Sequence, residues 1–181
     1  MTRFCQQLRA PITALSAALV CAGASAQVPY SIVTASERGT YIQIGRDLAA
    51  LVAPDAGIAL EALPSAGSAE NVRRLRFEPG VKFALVQSDV YQAFIDQGEG
   101  GNAEARQLVS PLRLIMPLYN EEIYFITRAD SPLQFVHEIK DARLNVGPLL
   151  SGTAMSATTL YRQLFGTASP EATTSYLSNE D

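Results

Sequence analysis

Three times in the first hundred residues a short apolar run gives way to a small polar loop and then to an amphipathic stretch. That recurrence restricts the fold more than any other feature of the chain. Residues 30–34 (YSIVT) alternate as a strand does and ASERGT breaks the pattern. Tyr41, Ile44, Leu48 and Leu51 then share one helical stripe that stops at Pro54 and Gly57. IALEAL (58–63) is a second strand, followed by the loop PSAGS (64–68) and by AENVRRLRF, with Val72 and Leu75 inward and Arg73, Arg74 and Arg76 outward. FALV (83–86) reads as a buried parallel strand. After it, Ser88 or Asp89 caps a helix that turns Val90, Phe94 and Ile95 inward and stops at Gly98. Parallel neighbours need a crossover, so this alternation predicts a parallel α/β sheet with its helix-start loops along one edge.

Beyond residue 98 the pattern is less regular. EGGNAEARQ (99–107) reads as a polar connector, and LRLIM (112–116) and EIYFITR (122–128) as two further strands. Pro132 begins a turn, and Phe135, Val136 and Ile139 suggest a short helix. Residues 144–146 make a strand, GPLLSGTAMS (147–156) a loop, and Ala157, Leu160, Tyr161 and Leu164 one face of a helix ending at Gly166. Gly-Thr stands at a helix entrance twice, at 39–40 and 152–153. SYLSNED at the end looks like the start of a helix. The region after 128 then holds one clear strand and one clear helix, which is too little to bury a core, so the chain is expected to be a truncated form of something longer.

The first 26 residues read as a secretory leader. Arg3 and Arg9 precede the apolar, small-residue stretch ITALSAALVCAGASA, and Ala24-Ser25-Ala26 fits cleavage before Gln27. Gly23 and Ser25 break the run too early for a membrane anchor, and Val20 disfavours lipoprotein processing at Cys21. Both cysteines, Cys5 and Cys21, leave with the leader, so no disulfide or thiolate chemistry is expected in the mature, exported chain. The leader carries two basic residues and no acidic one, so its loss takes the net charge from −4 to −6. Such a charge argues against nucleic acid or an anionic membrane as partner. A bound anion would have to be held by local dipoles.

The predicted rim gathers Gly39, Thr40 and Tyr41; Ser65, Gly67 and Ser68; Gln87 and Ser88; and Ser151, Gly152 and Thr153. Glycines let a ligand approach the backbone, while hydroxyls and helix-start N–H groups donate hydrogen bonds. Each loop alone is an ordinary cap or turn; four on one edge form a candidate anion site. Tyr119, ahead of the strand leaving this unit, is either a pocket wall or a rim residue packed on the connector. Catalysis has less support. His137 is the only histidine and no metal set can be assembled, so neither metal nor cofactor is expected. The Ser88-Asp89 pair lacks the nucleophile elbow, and GPLLSGT lacks the lysine of a phosphate loop. Glu121 and Glu122, adjacent on a strand, point to opposite faces and make a poor acid/base pair. Binding without chemistry is the expectation.

The ordered series TASERGTYIQIGRDLA, LPSAGSAENVRRLR, ALVQSDVYQAF, LYNEEIYFITRADSPL and NVGPLLSGTAMSATTLY resembles the TAXI-type solute receptors of TRAP transporters over about residues 30–166. The resemblance implies a type II periplasmic binding protein-like α/β fold of two lobes with parallel-rich sheets. The first lobe would span 27–127, and 128–181 would be part of a truncated second. It also implies a small carboxylate ligand, amino-acid-like ones such as glutamate among them, passed to TRAP-type permease subunits. The twelve rim and pocket-wall residues would line the site, Tyr119 on the hinge side. The charged Ser36-Glu37-Arg38 departs from a family loop richer in glycine, so ligand preference is expected to differ. Three alternatives remain open: a receptor for an ABC importer or sensor kinase, a non-functional fragment, and a periplasmic enzyme on the same fold using Asp89 or His137.

Overall fold

The computed structural model describes residues 28–178. The leader expected over 1–26, with Cys5 and Cys21, and the last three residues of SYLSNED lie outside the described residues. β1 (Val28–Val33) is the central strand of a three-stranded sheet, with β2 (Ile58–Leu63) and β3 (Val81–Ala84) parallel to it on either side. The β1–β2 register runs unbroken from Val28 opposite Ile58 to Val33 opposite Leu63, whereas the β1–β3 register shifts between Ser31 and Ile32. The first two crossovers are α1 (Thr40–Asp47), from β1 to β2, and α2 (Ser68–Phe77), from β2 back across to β3. Crossovers of the usual right hand in opposite directions place these helices on opposite faces of the sheet.

The stripe expected on α1 is displaced. Its buried residues are Ile42 and Gly45, and Leu51 is 72% exposed. The helix opens into a π-helical turn at Leu48–Val52, and the extra residue per turn rotates Leu51 and Val52 away from the sheet. Behind α2 the chain builds its main core from Ala69, Val72, Val90, Phe94, Ala105 and Leu108. Two of these come from a helix in place of the expected polar connector: α4 (Ala103–Val109) comes after α3 (Ser88–Glu99), three residues on. Ala105 and Leu108, three apart, fall on one face, and Asn102 Oδ1 accepts the Ala105 N–H at 3.1 Å as the N-cap. Gly98 is accordingly not a helix stop: it is buried inside α3, where a Cβ would lie 3.0 Å from the Arg106 nitrogen. Nor does Ser88 or Asp89 cap α3, whose N-cap is Gln87. Asn102→Ala is expected to cost about 1 kcal/mol, read as a fall in melting temperature of roughly 2–4 °C.

The strands expected at 112–116 and 122–128 do not form among the described residues. The backbone there has no assigned secondary structure and no strand pairing, with Leu114 81% and Ile126 90% exposed. Alternating aromatic and β-branched residues supply strand propensity, but a strand also needs a partner to take its hydrogen bonds. The later region holds a 3-10 turn at Val136–Ile139, a two-residue parallel pair of β4 (Leu144–Asn145) and β5 (Thr174–Ser175), and α5 (Gly152–Phe165). Gly166, at φ 72°, closes α5 by donating to the Arg162 carbonyl at 2.8 Å. The described part of SYLSNED is not a helix start. Ser175 lies in β5 and its carbonyl accepts from Val146 N, while Asn145 Oδ1 accepts from Leu177 N at 2.9 Å, so the segment is held beside β4. α5 packs on α2 and α3.

Candidate ligand-binding site

In the order β2-β1-β3 the chain leaves β1 in one direction and returns to its other side. Loops beyond the carboxyl ends of strands part at such a reversal and leave a crevice. The loops concerned hold the expected first-lobe residues, and one buried side chain fastens them together. Asn71, on the sheet side of α2, donates through Nδ2 to the carbonyls of Thr34 at 2.5 Å and Leu85 at 2.7 Å, beyond β1 and β3. Its Oδ1 accepts from Ser65 Oγ at 2.6 Å, in the loop after β2. Ser65 Oγ in turn accepts the Gly67 N–H at 3.0 Å, and Ser68 Oγ accepts the Gln87 N–H at 3.0 Å.

The start of α5 is seated on this frame. Gly67, at φ 127°, passes so close that a Cβ there would meet Ser151 Cα at 3.1 Å. At Gly152 the place of a Cβ is taken by Gln87 Oε1, 1.4 Å away. That oxygen is buried and has no hydrogen-bond partner among the described residues. Ser65, Gly67, Ser68, Gln87, Ser151 and Gly152 therefore form one cluster. Ser88 is exposed at the start of α3. Thr40 and Thr153 are also exposed, each beside its glycine, and Thr153 lies against Gly147. Tyr41 stands between the cluster and the 39–41 corner, with Glu121, Tyr119 and Ser68 among the groups close enough to act on its hydroxyl. Tyr119 meets the Tyr41 ring edge-on, centroids 6.4 Å apart at 84°, and its hydroxyl donates to Glu121 Oε1 at 3.3 Å. Burial first, then the Glu121 carboxylate, pushes both tyrosine hydroxyls above their ordinary range, so they remain neutral donors.

The helix starts are not equivalent. α1, α2 and α3 begin behind Gly39, Gly67 and Gln87 with no side-chain cap, which leaves first-turn N–H groups as donors. α5 is capped by Ser151 Oγ, which accepts the Ala154 N–H at 3.0 Å. Glu70 and Asp89 stand in the first turns of α2 and α3; Glu70 accepts the Ala66 N–H at 2.8 Å and Asp89 the Ser156 hydroxyl. α1 and α5 have no acidic residue in their first turns. The two Gly-Thr corners are thus helix starts with no acidic residue in the first turn to offset the dipole.

Asn71, Glu70 and Glu121 join the site without being expected there. Asn71 carries a signal in the sequence, a polar residue between Ala69 and Val72 on an inward stripe. Glu121 reads in sequence only as half of a carboxylate pair, yet the two carboxylates serve different tyrosines, Glu121 taking Tyr119 and Glu122 taking Tyr124. His137 is exposed and stacked on Phe135 at 5.7 Å. Among the described residues no three His, Cys, Asp or Glu side chains gather as a metal set. A groove of about 280 Å³ between α2, α3 and α5, lined by Ala69, Phe94, Leu150 and Met155, includes none of the expected ligand residues.

A parallel α/β sheet whose carboxyl rim presents amide and hydroxyl donors beneath a helix start from the later half of the chain is the frame of an extracytoplasmic solute-binding protein. Residues 32–181 match the family model described as NMT1-like, and the chain belongs to the NMT1-like family of substrate-binding proteins. Among the described residues no helix is long and apolar enough to cross a membrane.

Proposed function

We propose that this protein is the solute receptor of a TRAP-type secondary transporter, of the TAXI kind, that captures a small carboxylate in the periplasm and delivers it to the permease subunits. The leader over 1–26 would carry it there, and the segments 27–127 and 128–181 would act as the two sides of the site. The observation that carries this reading is the seating of the α5 start on the α2 and α3 starts through Gly67, Ser68, Gln87 and Gly152. The donors around it are main-chain amides and hydroxyls, which suit reversible capture of an anion rather than its chemical conversion. With α5 seated, Gln87 Oε1 fills the space beside Gly152, so a ligand enters as that helix start withdraws. Motions of this hinge type take microseconds to milliseconds.

The carboxylate would then bridge the two helix starts free of acidic residues, at 39–41 and 151–153. Each threonine hydroxyl adds one hydrogen bond to a charged group, so Thr40→Ala together with Thr153→Ala is expected to weaken binding by about 100-fold. Both side chains are exposed, so the melting temperature should move by no more than about 2 °C. Calorimetric titration with a panel of mono- and dicarboxylates reads the first effect, and unchanged affinity in the double variant would remove the assignment.

A further inference from the structure

Solute capture leaves one large surface without a role. Residues 113–127 make no main-chain hydrogen bond among the described residues, and they carry the densest run of exposed apolar side chains. Leu114, Ile115, Met116, Ile123, Tyr124 and Ile126 are each more than half exposed. Single exposed apolar residues are ordinary, whereas a contiguous run of this kind marks a contact surface. Unmet main-chain donors and acceptors beside such side chains are also what a strand edge offers to another strand.

The second half of this run indicates which strand fits it. Residues 122–128 read EIYFITR, with an acid at one end, a base at the other and Phe125 at the centre. Laid antiparallel on a second copy about Phe125, Glu122 stands opposite Arg128 at both ends of the ladder. Ile123 then faces Thr127, Tyr124 faces Ile126, and Phe125 meets its own counterpart. Directly opposed aromatic, β-branched and opposite-charge pairs are those that stabilise an antiparallel ladder. Parallel in-register pairing instead sets Glu122 against Glu122 and Arg128 against Arg128, which repel. Within the chain these charges have only near neighbours as partners. Arg128 bonds Asp130 at 2.7 Å and Glu122 bonds the Tyr124 hydroxyl, and all four residues are exposed. Exposed contacts of that kind contribute little, so exchanging them across a dyad costs little.

A bare two-stranded ribbon is marginal in water, so neighbouring apolar residues must be covered with it. Aromatic side chains bury roughly 150–250 Å² each, so six large apolar ones, all more than half exposed, hold on the order of 600–900 Å². A stable interface takes roughly 800 Å² per partner. We propose that residues 122–128 pair antiparallel with the same residues of a second copy of this chain, making a two-fold dimer with Phe125 on the axis and residues 114–116 packed beside the ladder. Such a contact is isologous and closes at two copies. The ladder begins after Tyr119 and uses none of the proposed ligand residues, so it does not depend on the identity of the ligand.

Sedimentation velocity of the purified chain over a range of micromolar concentrations should show a monomer–dimer equilibrium. Ile126→Asp, at a side chain 90% exposed, should leave the chain monomeric throughout. Glu122→Arg replaces two attractive pairs by two repulsive ones and should weaken the dimer by about 10–30-fold, as should Arg128→Glu. Combining the two swaps restores opposite charges and should return the dimer to within about 3-fold of the wild type. Glu121→Arg, outside the ladder, should change it by less than about 3-fold. Far-UV circular dichroism matching the wild type shows each variant folded. A wild-type chain that stays monomeric, a dimer that survives Ile126→Asp, open-ended assembly, or a double swap no better than either single one overturns the proposal.

Discussion

Asn71→Ala is expected to lower the unfolding free energy by about 3–5 kcal/mol. The side chain is completely buried and bonds the ends of β1 and β3 and the loop after β2 at once. Truncation leaves a void and strands the Leu85 carbonyl, whose partner was Nδ2. The Thr34 carbonyl keeps a second donor, Ser65 Oγ, at 3.1 Å. A buried acceptor without a partner costs about 1–3 kcal/mol, and the lost volume adds to it. Asn71→Asp keeps the shape but points a carboxylate at two carbonyls, so it should be no better. The chain has no tryptophan, so urea unfolding followed by far-UV circular dichroism is the suitable measurement. A loss under about 1 kcal/mol would mean that the three loops are held by something other than Asn71.

Gly67→Ala is expected to cost about 2–4 kcal/mol, with effects on the two sides of the site. At φ 127° and ψ −158° the residue occupies backbone space that is essentially closed to a side chain. The new methyl would also press on Ser151 Cα and on the Gly152 nitrogen, at 3.1 and 3.3 Å. Both are backbone atoms at the start of α5, so that helix must lift away. Gly57→Ala supplies the control: it has positive φ, at 69°, but open space around it, and should cost only about 1 kcal/mol. Hydrogen exchange separates the two effects. In Gly67→Ala the first-turn amides of α5 should exchange faster than in Gly57→Ala at equal global stability. Equal protection in both variants would show that Gly67 does not set the seating of α5.

The rim was legible because its ingredients are local. Strand, glycine-serine loop and helix start succeed one another within a few residues, and the alternation of apolar runs with amphipathic stretches requires parallel pairing wherever the partners are found. The same local reading misses α4, since only Ala105 and Leu108 mark its buried face among polar neighbours. It places β3 two residues late, because the end of that strand is set by its register on β1. It also turns 112–128 into strands on propensity alone, although the partners that would pair with them are not among the described elements. At the site, the hydroxyls and glycines were legible as types. Which of them touch was not: Gly152 could have faced Thr40 as well as Gln87.

The sequence by itself determined the parallel α/β class and the succession of strand, small polar loop and helix start that sets those loops along one edge. Both come from periodicity and residue type over a few positions. Only the tertiary structure decided that Asn71 joins three loops, that α5 sits on Gly67 and Gln87, and that the Tyr41 and Tyr119 rings meet edge-on. These contacts join residues far apart in the chain, and their energies depend on burial and approach, which exist only once the sheet has brought the loops to one edge.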